Sequence, residues 1–265
     1  MYNLLIAGGA ALLAYTLGTL AVSWVAGFAP ALLALLGVWF FLARRTGKKV
    51  EAIAASAMQH LQEGRMAAAR DTLRAALPLG RWQLLVESQL HGQIGAIDYL
   101  EACSLLMQRQ ITASKPKFAD AQASLVKSWS RDCRSRTLLA CVHHRANETD
   151  KALAVLKAAE SGGSREAMFW AVYAYVLNEA KRREEALQVV ARGLTSLPKN
   201  AGLLGIQEAL GNRKRPDFKT FGEPWYQFFP DQIPQEVLME QARAAGKLPQ
   251  QAANRSPKTW PQPRR

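Results

Sequence analysis

The side chains with the widest chemical reach in this chain are Cys103, Cys133 and Cys141 and the run His143-His144-Arg145. Cys133 and Cys141 with the two histidines come nearest to a metal-ligand set. Cysteines two helical turns apart do not give the short ligand clusters that zinc prefers. Adjacent residues on a helix diverge by about 100°, so His143, His144 and Arg145 cannot act as one site. An odd number of cysteines with no CxxC pair argues against a disulfide framework and for a reducing compartment. The thiols then read as small buried side chains. No Walker-type glycine loop, GxGxxG fingerprint, HExxH or GxSxG motif occurs. The expectation is a protein that is not an enzyme, with no cofactor and no metal.

What positions the remaining residues begins with an uncharged stretch. Met1 to Ala43 holds no Asp, Glu, Lys, Arg or His, so the net charge of +13 sits entirely on the rest of the chain. Leu4 to Val25 is apolar and as a helix would span roughly 33 Å, enough for a bilayer core. A second run, Ala29 to Ala43, follows Gly27-Phe28-Ala29-Pro30, where glycine permits a bend and Pro30 suits a first helical turn. Residues 1–45 are therefore expected to form a transmembrane helical hairpin, with the second run spanning or re-entrant. Ala10, Ala14 and Gly18 repeat at four-residue spacing, the small-xxx-small pattern of close helix contact, although membrane helices are rich in such residues anyway. Arg44, Arg45, Lys48 and Lys49 follow at once, and the positive-inside rule places them and all that follows in the cytoplasm. Ala21-Val22-Ser23 could pass for a signal-peptide cleavage site, but no basic n-region precedes it.

Residues 46–212 carry an internal period. Trp170, Tyr173, Ala174 and Leu177 share one helical face, Ala186 and Val190 share the next, and Pro198 closes the pair. One period earlier stand Leu139-Ala140, Asn147, Ala152, Leu156 and Ala159, with Arg136 where a large apolar residue is usual. Asn147-Glu148-Thr149-Asp150 reads as the turn between helices, with Thr149 or Asp150 as N-cap. This pattern resembles the tetratricopeptide repeat (TPR), a helical hairpin of about 34 residues. Weaker units fall at about 49–80, with Ala68, Thr72, Ala75 and Pro78, and at Leu90, Ile94, Gly95 and Tyr99 with Phe118, Ala121 and Leu125. Ala102 to Lys115 reads as an insertion in the second, whose later helix would start near Ser114 or Pro116. Ala201 to Leu210 reads as a closing helix. The fold class is thus all-α, a transmembrane hairpin followed by a TPR-like α-solenoid of about four repeats. A single hairpin cannot bury its apolar face alone, so neighbours must stack.

The resemblance implies a protein-binding groove lined by the first helix of each unit. Carried over by position, the third unit offers Arg134, Thr137, Cys141, His144 and Arg145. The fourth offers Met168, Ala171, Tyr175, Asn178 and Glu179, and the closing helix Asn212 and Arg213. The second adds Gln89, Ala96 and Tyr99. The charged members are mostly basic, which suits an acidic peptide or a free carboxylate. Residues 213–246 crowd Phe218, Phe221, Trp225, Tyr226, Phe228 and Phe229 among turn residues, which exclude a long helix. That segment either caps the last repeats or anchors a partner or the membrane interface. Gln235 to Ala245 suits one short helix, and 247–265 is a basic tail expected to be disordered. The implied function is a membrane-anchored adaptor for a protein partner. The alternative is a basic repeat protein binding nucleic acid or anionic lipid, and the groove lacks the recurrent polar code of base-reading repeats.

Overall fold

A helix closes its backbone hydrogen bonds internally, which suits an uncharged N-terminal stretch with few polar side chains to compete for them. The computed structural model describes residues 2–21, 24–25, 27–82, 85–163, 165–237 and 239, and every regular element among them is helical. Helix α1 (Tyr2–Ala21) is followed through Gly27 by α2 (Phe28–Gln62). Both are long and apolar enough to cross a membrane. They pack on each other because small residues allow it. Ala7 is fully buried, and a Cβ on Gly18 would lie 2.8 Å from the Gly27 Cα. Ala10 and Ala14 are half-buried in the same seam, while Leu4, Leu5, Leu12, Leu13 and Leu17 stay exposed. At the open end Asn3 Nδ2 donates to Thr46 Oγ1 at 3.1 Å, a buried bond. The boundary expected at 45/46 is crossed without a break. Isolated Gly37 and Gly47 do not interrupt a helix, so α2 is a rod of 35 residues, about 52 Å long.

Eight more helices precede the aromatic segment: α3 (Met66–Ala76), α4 (Val86–Met107), α5 (Ile111–Val126), α6 (Cys133–Arg145), α7 (Thr149–Gly163), α8 (Ala167–Glu179), α9 (Arg183–Ser196) and α10 (Ala201–Gly211). Each packs on its chain neighbour, and α4, α6, α8 and α10 also touch in succession. Close crossings fall where the sequence is small. Ala186 is fully buried, and a Cβ on Gly193 would lie 2.7 Å from Trp170 Cγ. Helices α2 to α4 share a smaller core around Leu73, Leu90 and Ile94, and the larger core runs from α4 onward.

One turn recurs five times. After α2, α4, α6, α8 and α10 a residue takes the left-handed conformation: Gly64, Arg109, Asn147, Lys181 and Arg213, with φ between 55° and 75°. Its N–H bonds the carbonyl three residues back, and the next N–H bonds the carbonyl five back, as in Lys181 to Asn178 and Arg182 to Leu177, both 2.9 Å. This is the Schellman closure, which satisfies the last carbonyls of each helix.

Two expected boundaries move. Helix α5 starts at Ile111, not at Ser114 or Pro116, and Pro116 lies inside it. The left-handed Arg109 reverses the chain before the proline is reached, so the insertion lengthens both partners. Helix α4 has 22 residues and α5 has 16, against 13 to 15 for α6 to α9. Helix α7 starts at Thr149, so Thr149 and Asp150 lie inside its first turn. Val22 and Ser23 lie outside the described residues, as do the 247–265 tail and most of the 235–245 helix.

A left-handed conformation costs a non-glycine residue roughly 1–2 kcal/mol, and glycine returns part of that as unfolded-state entropy. Lys181 is exposed. Lys181→Gly is therefore expected to stabilise the protein by about 0.5–1 kcal/mol, a rise in Tm of about 1–4 °C. Lys181→Val should lower it. A thermal melt of the detergent-solubilised protein checks both. A lower Tm for the glycine variant would show that the lysine side chain contributes more than its backbone costs.

Candidate functional site

The aromatic segment folds as short turns, as its glycine and prolines demand. Asp217 Oδ1 accepts from Lys219 N at 2.9 Å and caps a 3₁₀ turn, Phe218–Phe221. Gly222, with φ of 65°, redirects the chain into α11 (Glu223–Tyr226), and a second 3₁₀ turn follows at Pro230–Gln232. The segment does not stop at the free face of α10. It starts there, with the Phe221 ring against Gly202, and then runs back over α8 and α6 to α4. Residues 216–232 form a strap across the successive faces of the even-numbered helices.

Tyr175 of α8 is the hub of this contact. Its ring meets Phe229 at 4.7 Å, Phe218 at 5.2 Å and Trp225 at 5.3 Å, edge-on each time. Trp225 stacks between the other two, 5.3 Å from Phe218 and 4.6 Å from Phe229. Gln232 ties the group together, donating to Tyr175 Oη at 3.2 Å and accepting from Trp225 Nε1 at 2.9 Å. Trp225 is wholly buried and Phe229 nearly so.

Arg145, at the end of α6, is the second hub. Its guanidinium lies 5.8 Å from the Tyr99 ring centre and 5.7 Å from that of Phe229. Its Nε donates to Tyr99 Oη at 3.0 Å, and its outer nitrogen pairs with Asp231. Tyr99 is fully buried, and burial followed by the Cys141 and Cys103 thiols pushes its hydroxyl well above the ordinary value. It keeps its proton and donates to the Phe228 carbonyl. Arg134 of α6 donates to Gln227 Oε1 at 3.1 Å from an exposed position.

The structure thus places Arg134, Arg145 and Tyr175 on one surface and fills it with the chain's own strap. Thr137, Cys141 and Ala171 are buried, and Thr137 gives its hydroxyl proton to the Cys133 carbonyl. Burial pushes the Cys141 thiol up to about 12, and those of Cys103 and Cys133 to about 11, so none is a nucleophile at neutral pH. Met168 and Asn178 are half-buried and Glu179 is exposed. Gln89 is exposed, and Ala96 packs on the core beside Tyr99. Asn212 and Arg213 fall beyond the end of α10, in the recurring turn, so they present no helix face. His143 turns away from His144 and Arg145, which both reach the Tyr175–Phe229 cluster. His143 Nδ1 meets Glu148 at 2.6 Å, while the His144 ring lies edge-on to Tyr175 at 5.6 Å. No group of three metal-ligating side chains occurs among the described residues.

Neither residue type nor spacing marked Gln227, Asp231 and Gln232 as strap contacts. A buried charge cluster also escaped it. Asp98, fully buried on α4, meets Arg70 of α3 at 3.0 Å, and Arg70 and Lys117 both reach Glu101 at 2.9 Å. Burial raises the Asp98 carboxyl, and its bond to Arg70 opposes that. An acid inside the apolar run Ile94 to Leu100 was the available signal. No protein-family model matches this chain, and no curated protein matches it.

Tyr175→Ala removes the ring that three strap aromatics share and is expected to cost about 3–5 kcal/mol. Arg145→Ala removes charge-assisted bonds expected to cost about 2–3 kcal/mol. Both variants should become sensitive to proteolysis between residues 212 and 217. Protection equal to the unaltered protein would show that the strap is held by other contacts.

Burial, then Arg145, lowers the His144 imidazole below 6.5, and burial, then Lys127, lowers His91. The folded state disfavours both protons, so this stability is present above the unfolded value and lost as pH falls through the lower folded values. Tm should fall between about pH 7.5 and about pH 5.5, and His144→Gln should reduce the fall. An equal fall in that variant would assign the effect to His91.

Proposed function

We propose that this protein is a membrane-anchored adaptor resembling the tetratricopeptide-repeat proteins, which binds a protein partner along the face of α4, α6 and α8. The observation that carries this reading is the strap itself. That face takes an extended segment through an aromatic hub at Tyr175 and through Arg145, which pairs with an acid. An acidic, aromatic partner segment would use the same chemistry. It would displace the strap or engage Met168, Asn178 and Glu179 beside it. The repeat reading is supported by five turns of one bonding pattern and by Asn147 and Lys181, which stand one 34-residue period apart. The anchor reading is supported by the two apolar helices and the basic cluster that follows them, which favours a hairpin in a bacterial inner membrane with both termini cytoplasmic.

A photoreactive amino acid at 168, 178 or 179 of the full chain, in native membranes, is expected to yield protein adducts that nuclease treatment leaves intact. The same probe at Lys157, exposed on α7, should yield none. Equal adducts from both positions, or adducts that nuclease removes, would replace the adaptor reading with a general charge effect. A periplasmic reporter active after residue 265 would reverse the orientation.

A further inference from the structure

The edge of the helix stack nearest the hairpin carries two exposed tryptophans that the groove does not use. Trp82 stands where the chain enters α4. Its carbonyl accepts from Asn3 N at 3.2 Å, and its ring meets Tyr2 edge-on at 5.3 Å. Trp82 is therefore held at the level of the first residues of α1, where the apolar stretch begins. Its side chain is 42 % exposed. Trp129 follows α5 and is 40 % exposed, with Val126 at 53 % beside it in sequence.

Contacts along α4 bring the segment that carries the second tryptophan alongside the start of the helix that Trp82 precedes. A Cβ on Gly92 would lie 3.6 Å from the Ser128 Cβ and 2.5 Å from Ser135 Oγ, so the segment joining α5 to α6 lies against the first two turns of α4. Lys127 is close enough to His91 to depress its proton affinity. From Val86 to Gly92 the helix rises about 9 Å, comparable with the Debye length at ordinary salt, about 8–10 Å. Lys127 and Arg131 are both exposed here. Of the acids nearby, Asp132 is engaged by Ser135, and Glu87 lies 4.0 Å from His91.

We infer that this edge lies on an anionic phospholipid leaflet, with Trp82 and Trp129 among the head groups and Lys127 and Arg131 above their phosphates. The inference rests on the reading of α1 and α2 as a membrane anchor. Two things select lipid as the occupant. The edge is continuous with the mouth of the hairpin through the Tyr2 and Asn3 contacts to Trp82. It also combines tryptophan with the exposed Lys127 and Arg131 against the exposed acid Glu87, a basic surplus of the kind found at a membrane–water interface. A docked protein would need room between this edge and the bilayer, and the direct bond from Asn3 to Trp82 leaves none at Trp82.

The test uses the full chain in nanodiscs of phosphatidylglycerol and phosphatidylcholine, read by tryptophan fluorescence with nitroxide-labelled lipids. A head-group nitroxide is expected to quench the emission that Trp129→Phe removes. Lys127→Glu with Arg131→Glu should lower that quenching at least about two-fold, as should replacing phosphatidylglycerol by phosphatidylcholine. The charge variants lie on the surface and keep the fold. Acyl-chain nitroxide should quench the emission that Trp39→Phe removes, which reports on the hairpin alone. Quenching of Trp39 with none at Trp129 overturns the lipid edge and leaves the anchor standing. No quenching at Trp39 overturns the anchor and the edge with it. Quenching at Trp129 that ignores both lipid charge and the charge variants overturns the anionic contact.

Discussion

Arg145 ends α6 with its guanidinium mostly out of water, and a desolvated cation has to be compensated on every side. The compensation comes from two other parts of the chain. Tyr99 of α4 supplies an oxygen and a ring face, and the strap supplies the Phe229 ring and the Asp231 carboxylate. Tyr99 in turn gives its own proton away, and the strap's Phe228 carbonyl takes it. Removing any one of the three takes a hydrogen bond from at least one of the other two. The inner face of the stack is complete only when α4, α6 and the strap are all present.

The other helix junctions follow a similar rule on a smaller scale. Apolar packing brings the helices together, and a polar tie fixes their register. Asn3 to Thr46 does so for α1 and α2, Arg70 to Asp98 for α3 and α4, and Lys117 to Glu101 for α4 and α5. Arg192 to Glu160, at 2.6 Å, links α9 to α7, and Arg183 caps the Leu210 carbonyl at the end of α10. A slip by one helical turn would strand each partner, which is the sense in which such pairs specify an arrangement more than they stabilise it.

How much of this could be read from residues alone depended on whether the deciding interaction was local. The absence of charge up to Ala43 announced the apolar pair, and Gly18 and Ala186 marked close approaches, because each reports its own surroundings. The recurring turn was legible at Gly64 and Asn147, which favour left-handed backbone. It was illegible at Arg109, Lys181 and Arg213, where the bonds that close the helix hold the conformation against the residue's preference. The same failure misplaced the start of α5, since Pro116 looked like a beginning and Arg109 was the true reversal. That Arg134, Arg145 and Tyr175 share a surface was anticipated through the repeat resemblance. Their occupant was not, because composition does not give the direction in which a turn-rich aromatic segment leaves α10.

That direction changes the kind of object the stack is. In an open row of helical pairs each unit feels only its neighbours, and such arrays can fray from either end one unit at a time. Here the bond from Tyr99 to Phe228 joins residues 129 positions apart, so the row is fastened into a loop and its interior units gain or lose structure together. The fastening also comes late. At translation rates of about 5–20 residues per second, α4 waits on the order of ten seconds for Phe228. Once made, the cation of Arg145 and then the ring of Tyr175 face a solvent-open trough until the strap emerges, and a chaperone or a neighbouring nascent chain can enter it first.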